Sequence, residues 1–412
     1  MNVLVITHLS DTNLGDAAIL TGTAQLLREL RPGAAIALVP GMPANALAQR
    51  DTATARREGI EVLAPLCAQP VQGVSPEGRV ALHGKALWEA ARSLAILLSP
   101  RGARPILSAG ERRTIDAYRR ADLLVVEGGS SLRAESRPSH IVHVWRLVFP
   151  VLLGLRLRKR VIGLGHSLGP IERGFPGTLL RFVLRRGWTI YPRDPYSQAL
   201  YREITGRDVP WIPDLSLALR PPPPDRNGHE GRRVAVSVRP LGNAQERAVE
   251  ERLVRVLELL DPRPDEVAVI ANAFGPSPKQ DDRPVIERLA RRLRERGFNV
   301  TRAEHRDPHS AAGDYGGFDA VFGVRMHAAI LARIAGAPSV PLDYEGRKAA
   351  GVFSYLAPDV RVEPVEGDFV PSVAAQLERY LATGLPAEER VALERSAEEL
   401  RQAVAAILDG RR

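Results

Sequence analysis

The sequence predicts an α/β protein of two Rossmann-like domains, each a parallel sheet covered by helices on both faces, facing each other across a cleft. Three observations lead there. Short β-branched or leucine-rich runs alternate with longer segments of helical periodicity along the chain. The alternation breaks at "RPPPPDRNGHEGRR" (220–233), where four consecutive prolines and a polar run can enter neither sheet nor helix, and then restarts. Finally, 412 residues are long for one core and suit two domains of roughly 150–200 residues. The expected division is a first domain over 1–220, a linker over 221–233, a second domain over 234–385, and a terminal helix over 386–412 that packs back on the first domain.

In chain order, "MNVLVITH", "AIALVP", "ADLLVVEGG", "RVIGLGHS", "WTIYPRD" and "VPWIPD" read as buried strands of the first domain. After the linker, "RRVAVSVRP", "EVAVIANAF", "FNVTRAE", "FDAVFGVR" and "APSVPLDY" read as strands. The segments "QERAVEERLVRVLELL", "DRPVIERLARRLRERG" and "MHAAILARIAG" are the helices between them, and "PSVAAQLERYLATG" and "PAEERVALERSAEELRQAVAAIL" are helical too. In open parallel sheets ligands collect beyond the carboxyl ends of the strands, so the site is sought there.

With 44% hydrophobic and 25% charged residues the chain is an ordinary globular composition, and its net charge of +9 implies an anionic partner. Arginine is spread over many helices and aromatics are 5%, so neither a stacking platform nor a basic arm for nucleic acid is visible. The single cysteine, Cys67, excludes an intramolecular disulfide and argues against a zinc–thiolate site. The amino-terminal residues lack the pattern of a signal peptide, and the expected location is the cytoplasm. The most lipid-like stretch, "VWRLVFPVLLGLRLRKR" (144–160), carries Arg146 and Pro150. It reads first as a buried helix ending in a charge run, and second as a peripheral contact with the inner membrane face. Carboxylates and histidines show no metal-ligand spacing, so no metal is expected.

Several strand ends carry polar groups. In "HLSDTNLGDAAIL", Asn13, Gly15 and Asp16 lie where a strand turns into a helix; Gly15 would permit an unusual backbone angle and Asp16 would cap the helix. The plain reading is a tight turn, and the functional one is an anion seat. In "VVEGGSSL", Gly128 and Gly129 would let a ligand or a neighbouring chain approach the backbone, with Ser130 or Ser131 to hydrogen-bond it. "GLGHSLGPI" repeats the device with His166 and Ser167. In "YPRDPYSQAL", Arg193 and Asp194 suit either a local ion pair with a cap or a ligand contact. Arg239 ends the strand "VSVRP", where a guanidinium fork could hold a carboxylate or phosphate. In "GVRMHAAILARIAG", Arg325 and His327 sit at a helix start, where cations oppose the macrodipole by a few tenths of a kcal/mol. Their placement is explained if an anion occupies the space before that helix.

Taken together, "TNLGDAAI", "VVEGGSSL", "GLGHSLGPI", "YPRDPYSQALYREITG", "VPWIPDLSLAL", "VAVSVRP" and "GVRMHAAILARIAGAPSVPLDYEGRKAAGVFSYL" resemble, in order, the polysaccharide pyruvyl transferase family. The resemblance implies a GT-B-like architecture and transfer of pyruvate from phosphoenolpyruvate onto two hydroxyls of a saccharide, with a cyclic ketal and phosphate as products. It implies no cofactor. The acceptor would be a saccharide, a sugar nucleotide or a lipid-linked sugar. Arg239 and Arg325 would bind the donor, with Lys348 as a third cation and Tyr344 in the same element, and His327 would protonate the donor carbon. The chain departs from the family pattern at Ala17, Glu127 and His166, all in the first domain, which points to an unusual acceptor. The rival readings are a sugar-nucleotide glycosyltransferase of the same fold and a non-catalytic glycan-binding homologue.

Overall fold

The computed structural model describes residues 1–7, 11–41, 52–67, 79–137, 139–223, 231–242, 245–275, 280–344 and 346–410, with the backbone alone at 79–87 and 139. The chain divides into two compact units. The first comprises Met1–Asp11, Thr23–Leu215 and Ala403–Arg412; the second comprises Thr12–Gly22 and Ser216–Gln402. The predicted linker lies partly outside the described residues, at 224–230.

The first unit contains a parallel sheet of seven strands: β1 (Asn2–Thr7), β2 (Ala35–Pro40), β3 (Glu61–Val62), β4 (Leu123–Val126), β5 (Gly129–Ala134), β6 (Arg160–Ile171) and β7 (Thr189–Pro192). The helices along this part of the chain are α1 (Leu14–Leu30), α2 (Ala53–Arg57), α3 (Arg79–Leu98), α4 (Ala109–Arg120), α5 (Ser139–Arg156), α6 (Phe175–Arg185) and α7 (Pro195–Thr205). The first residues of α1, as far as Gly22, count with the second unit. Strands run β3-β2-β1-β4-β6, and β5 and β7 both pair with the long β6. All four residues of β4 are buried. A parallel strand covered on both faces needs a continuous apolar run, which "LLVV" supplies. Helix α4 opens with a capping box: the Ser108 hydroxyl accepts from the Glu111 amide and the Glu111 carboxylate accepts from the Ser108 amide. Such a cap contributes about 1 kcal/mol.

The second unit repeats the design with β8 (Arg233–Ser237), β9 (Glu266–Ala271), β10 (Val300–Glu304), β11 (Ala320–Gly323), β12 (Ser339–Asp343) and β13 (Glu363–Pro364), all parallel, in the order β10-β9-β8-β11-β12-β13. Its helices are α8 (Glu246–Glu258), α9 (Arg283–Glu295), α10 (Pro308–Gly316), α11 (Met326–Ile334), α12 (Lys348–Leu356), α13 (Val370–Thr383) and α14 (Ala387–Leu408), the last continuing into residues that count with the first unit. In α9 the buried residues Val285, Ile286, Leu289, Ala290 and Leu293 recur at helical spacing, and the arginines face outward. A buried cross-link joins four elements: the Arg333 guanidinium on α11 meets Glu389 on α14, Tyr380 Oη on α13 and the Ser339 carbonyl on β12. Breaking such a buried pair costs roughly 3–5 kcal/mol, because the remaining charge stays buried alone.

Three expectations change. "VPWIPD" (209–214) is not a strand. Pro210 and Pro213 offer no amide, and the Ile212 amide bonds the Pro192 carbonyl at 2.7 Å outside any ladder. The glycine pair at 128–129 leads from β4 straight into a further strand, β5, which the sequence reading does not contain, and both strands pair with β6. Helices α10 and α12 were not anticipated. The stretch 144–160 is the buried body of α5 followed by the start of β6, in line with the first of its two readings.

Candidate functional site

In the second sheet the chain runs outward from β8 through β9 to β10, then returns to β11 on the other side of β8. The order therefore reverses between β8 and β11, and at such a reversal the flanking loops part and leave a crevice at the strands' carboxyl ends. Gly323 and Ser237 are register partners across this junction. Two residues beyond each stands an arginine, Arg325 after β11 and Arg239 after β8. Gly323 has φ of +132°, and a Cβ there would lie 1.9 Å from the Ser237 carbonyl oxygen, so only glycine allows the two strands to lie this close at their carboxyl ends.

The arginines are held differently. Arg325 grips Asp282, the residue before α9: Nε donates to Oδ2 at 3.0 Å and Nη2 donates to Oδ1. Asp282 is fully buried and also accepts from the Asn272 amide at 3.1 Å. Burial, which disfavours the charged guanidinium, is outweighed by the Asp282 carboxylate beside it, and Arg325 is held above its ordinary pKa; Tyr344 and Asp16 act in the same direction. Burial pushes the Asp282 carboxyl up against the pull of Arg325. Arg239 is half-buried and lies over the Tyr344 ring, 4.3 Å from its centroid, and its Nη1 also donates to the Tyr344 hydroxyl. An arginine stacked this way is fixed in plane by an aromatic face. Lys348 opens α12, after β12 and Tyr344, and Arg347 before it adopts a left-handed backbone with φ of 72°.

His327 lies in the first turn of α11, and its ring rests against Gly15 in the first turn of α1. A Cβ on Gly15 would fall 2.3 Å from His327 Nδ1. Gly15 is thus required by close approach rather than by an unusual backbone angle, and it is not among the positive-φ glycines. The expected cap is corrected as well. Asn13, not Asp16, precedes the helix: its Oδ1 accepts from the Gly15 amide at 3.2 Å and its Nδ2 donates to Asp16 Oδ2 at 3.0 Å. The segment is held to the second unit by an antiparallel bridge of Asn13 with Ala273, and the Leu14 amide bonds the Asn272 carbonyl at 2.8 Å.

The residues expected in the first unit are structural. A Cβ on Gly128 would meet the Leu164 and Gly165 carbonyl oxygens at 2.4 Å, so the chain it admits is β6 and not a ligand. Gly129, with φ of 130°, and the half-buried Ser130 belong to β5. His166 is fully buried, donates from Nε2 to the Val126 carbonyl at 3.2 Å, and packs edge-on to Trp188. Burial lowers its pKa to about 4, so at neutral pH it is an uncharged core residue. Arg193 and Ser167 are likewise buried: Arg193 donates to Ser167 Oγ and to Asp214 Oδ2, both at 2.8 Å. Its ion-pair partner is Asp214 rather than Asp194, which caps α7 through the Ser197 amide. Among the described residues no three His, Cys, Asp or Glu side chains gather as a metal site, and no helix is long and apolar enough to cross a membrane.

Sequence reasoning missed Asp282, Asn272 and Tyr315. Tyr315 donates to Asn272 Oδ1 at 2.8 Å, and Asn272 in turn donates its amide to Asp282, so a buried chain of hydrogen bonds stands behind Arg325. The signals were an asparagine after an apolar strand in "VIANAF" and an acidic pair before a helix in "QDDRP".

The family model of polysaccharide pyruvyl transferases matches residues 13–346, a span that runs from Asn13 through Arg325, His327 and Tyr344. The chain belongs to this family, whose name assigns it a transferase role in polysaccharide pyruvylation. It is similar to the amylovoran biosynthesis protein AmsJ of Erwinia amylovora, with 24% identity over 290 residues, 64% of this chain and 68% of that protein. Its fold is similar to that of Anabaena HepE in complex with UDP-glucose, with a TM-score of 0.58, 14% identity and all of both chains covered. It is also similar to the UDP-GlcNAc 2-epimerase of Neisseria meningitidis, with a TM-score of 0.52, 8% identity and 99% of both chains covered. A third is the spinosyn rhamnosyltransferase SpnG complexed with thymidine diphosphate, at a TM-score of 0.50, 19% identity and 99% of both chains. The two-sheet α/β fold is therefore GT-B-like.

Proposed function

We propose that this protein transfers pyruvate from phosphoenolpyruvate to two hydroxyls of a saccharide, forming a cyclic ketal and releasing phosphate, with the donor at the carboxyl edge of the second sheet. The observation that carries this reading is the seating of His327 against Gly15 at the strand-order reversal that Arg239 and Arg325 flank.

In this reading the donor's phosphate and carboxylate meet Arg239, Lys348 and the amide end of α11. Arg325, already paired with Asp282, contributes chiefly by shaping the junction. One sugar hydroxyl adds to C2 of the enol while His327 delivers a proton to C3, which becomes the methyl group. The C2–O bond to phosphate breaks and leaves an oxocarbenium-like carbon. The second hydroxyl then captures that carbon, completing the ketal. Two hydroxyl protons are lost: one balances the proton placed on C3 and the other leaves with phosphate. AmsJ, a protein of amylovoran biosynthesis, supports a polysaccharide or its precursor as acceptor.

The test separates this reaction from sugar transfer on the same fold. The protein is incubated with a saccharide pool and either phosphoenolpyruvate or a sugar nucleotide. Inorganic phosphate released with the first alone supports the proposal; nucleoside diphosphate released with the second alone overturns it.

A further inference from the structure

We infer that the outer face of the helical layer α3, α5 and α6 in the first unit docks on an anionic lipid surface, independently of the reaction proposed above. Helix α3 packs on α5 and α5 on α6. Trp145 Nε1 of α5 donates to Ser93 Oγ of α3 at 2.8 Å, and Arg156 at the end of α5 reaches the Leu98 carbonyl at 3.4 Å. A surface helix ordinarily turns its polar side outward. The last turns of α3 do the reverse. Ala91, Leu94 and Leu98 are exposed and Ala95 half-exposed, a stripe at helical spacing with no charge in it, and Leu98 is 68% exposed. Arg92 on the same helix is drawn aside by Glu89 and Glu111, and Arg156 of α5 meets the backbone at the end of the stripe. Trp88 on α3, Ile141 on α5, and Phe175 and Phe182 on α6 are exposed large hydrophobics on the same three packed helices. In the second unit, by contrast, the large exposed hydrophobics among the described residues are Leu259 and Val391 alone.

The rim of this face is basic. Arg101 after α3, Arg156 at the end of α5, Arg173 before α6 and Arg185 and Arg186 at its end are exposed, against one exposed carboxylate beside them among the described residues, Glu172, and the Arg186 guanidinium lies over the Phe182 ring at 4.4 Å. A contiguous apolar area rimmed by polar residues marks an interaction site. The occupant follows from charge. A second copy on a two-fold axis would set arginine against arginine. A phosphate headgroup layer accepts both features at once, the arginines at the headgroups and the apolar stripe just beneath. The contact is peripheral, because the opposite, buried faces of these helices form the core of the first unit.

Flotation with phosphatidylcholine vesicles, with and without phosphatidylglycerol, at low and high salt, tests this on the full chain. Wild type should float with the anionic vesicles at low salt and lose most binding at high salt. Leu94→Asp with Leu98→Asp should abolish flotation. Arg185→Gln with Arg186→Gln should weaken it about 30-fold, at about 1 kcal/mol per arginine. Circular dichroism and melting temperature of each variant guard against misfolding. Failure of the wild type to bind anionic vesicles, or undiminished binding by the folded Leu94/Leu98 variant, overturns the inference. So does a dimer in sedimentation velocity that the same substitutions dissolve while vesicle binding is absent.

Discussion

The imidazole of His327 occupies the space that any side chain at position 15 would need, with Nδ1 only 2.3 Å from where a Cβ on Gly15 would stand. Two segments more than 300 residues apart in the chain are thereby fitted to each other. Gly15→Ala should force the ring to move, at an overpacking cost of about 1–3 kcal/mol in stability. If the ring's position matters to the chemistry, phosphate release from phosphoenolpyruvate should fall at least about 100-fold, the usual contribution of a positioned acid. A folded Gly15→Ala protein with wild-type turnover would show that His327 does not act from this position.

Asp282 is the buried counter-charge of Arg325. Asp282→Ala would leave the guanidinium alone in the interior and should destabilise the protein by roughly 3–5 kcal/mol in urea unfolding. Asp282→Asn keeps the shape and some hydrogen bonds and should cost less. Equal stability of Asp282→Ala and wild type would mean that the pair is solvated and plays no structural part.

Arg239 and Arg325 should separate kinetically. Arg239→Ala removes a guanidinium that meets an aromatic ring, a hydroxyl and the neighbouring Pro240 carbonyl but, among the described residues, no carboxylate hydrogen bond, so it should raise the KM for phosphoenolpyruvate about 10- to 100-fold with little loss of stability. Arg325→Ala strands the Asp282 carboxylate and should lower stability as well as activity. Indistinguishable melting of the two variants would contradict this division.

Two histidines, the fully buried His166 and the half-buried His143, predict acid sensitivity of the first unit. His166 and His143 titrate near about 4 in the folded chain, chiefly because burial disfavours the charged ring, against an ordinary value of 6.5. Between those values the folded protein binds fewer protons than the unfolded chain, so stability falls as pH drops from about 6.5 towards about 4. Each histidine contributes of the order of 3 kcal/mol to that loss. Denaturant midpoints at pH 7.5 and pH 4.5 should therefore differ, and His166→Gln should reduce the difference. A flat profile in the wild type would rule out buried neutral imidazoles.

What the sequence made legible follows from distance along the chain. The two strands that carry the site, β8 and β11, are largely apolar runs with turn residues at their ends, so Arg239 and Arg325 could be assigned to strand ends from local pattern. Their partners could not. Asp282 reads locally as a residue before a helix with proline near its start, and only the tertiary fold, in which α9 packs on β9 and β10, brings it to Arg325. In the first unit the same polar-after-strand pattern misled: His166 and Ser167 lie inside β6, which continues to Ile171, and Arg193 after β7 is buried against Ser167. Gly128 illustrates the ambiguity, since a glycine that admits a ligand and one that admits a neighbouring backbone look identical in sequence.

The central claim is that phosphoenolpyruvate binds at the reversal between β8 and β11. Calorimetric titration of the full chain with phosphoenolpyruvate tests it most directly, alongside Arg239→Ala and His327→Ala. The account predicts binding by the wild type, at least tenfold weaker binding by Arg239→Ala, and retained binding without phosphate release by His327→Ala. No binding by the wild type, or equal affinity in Arg239→Ala, would contradict it.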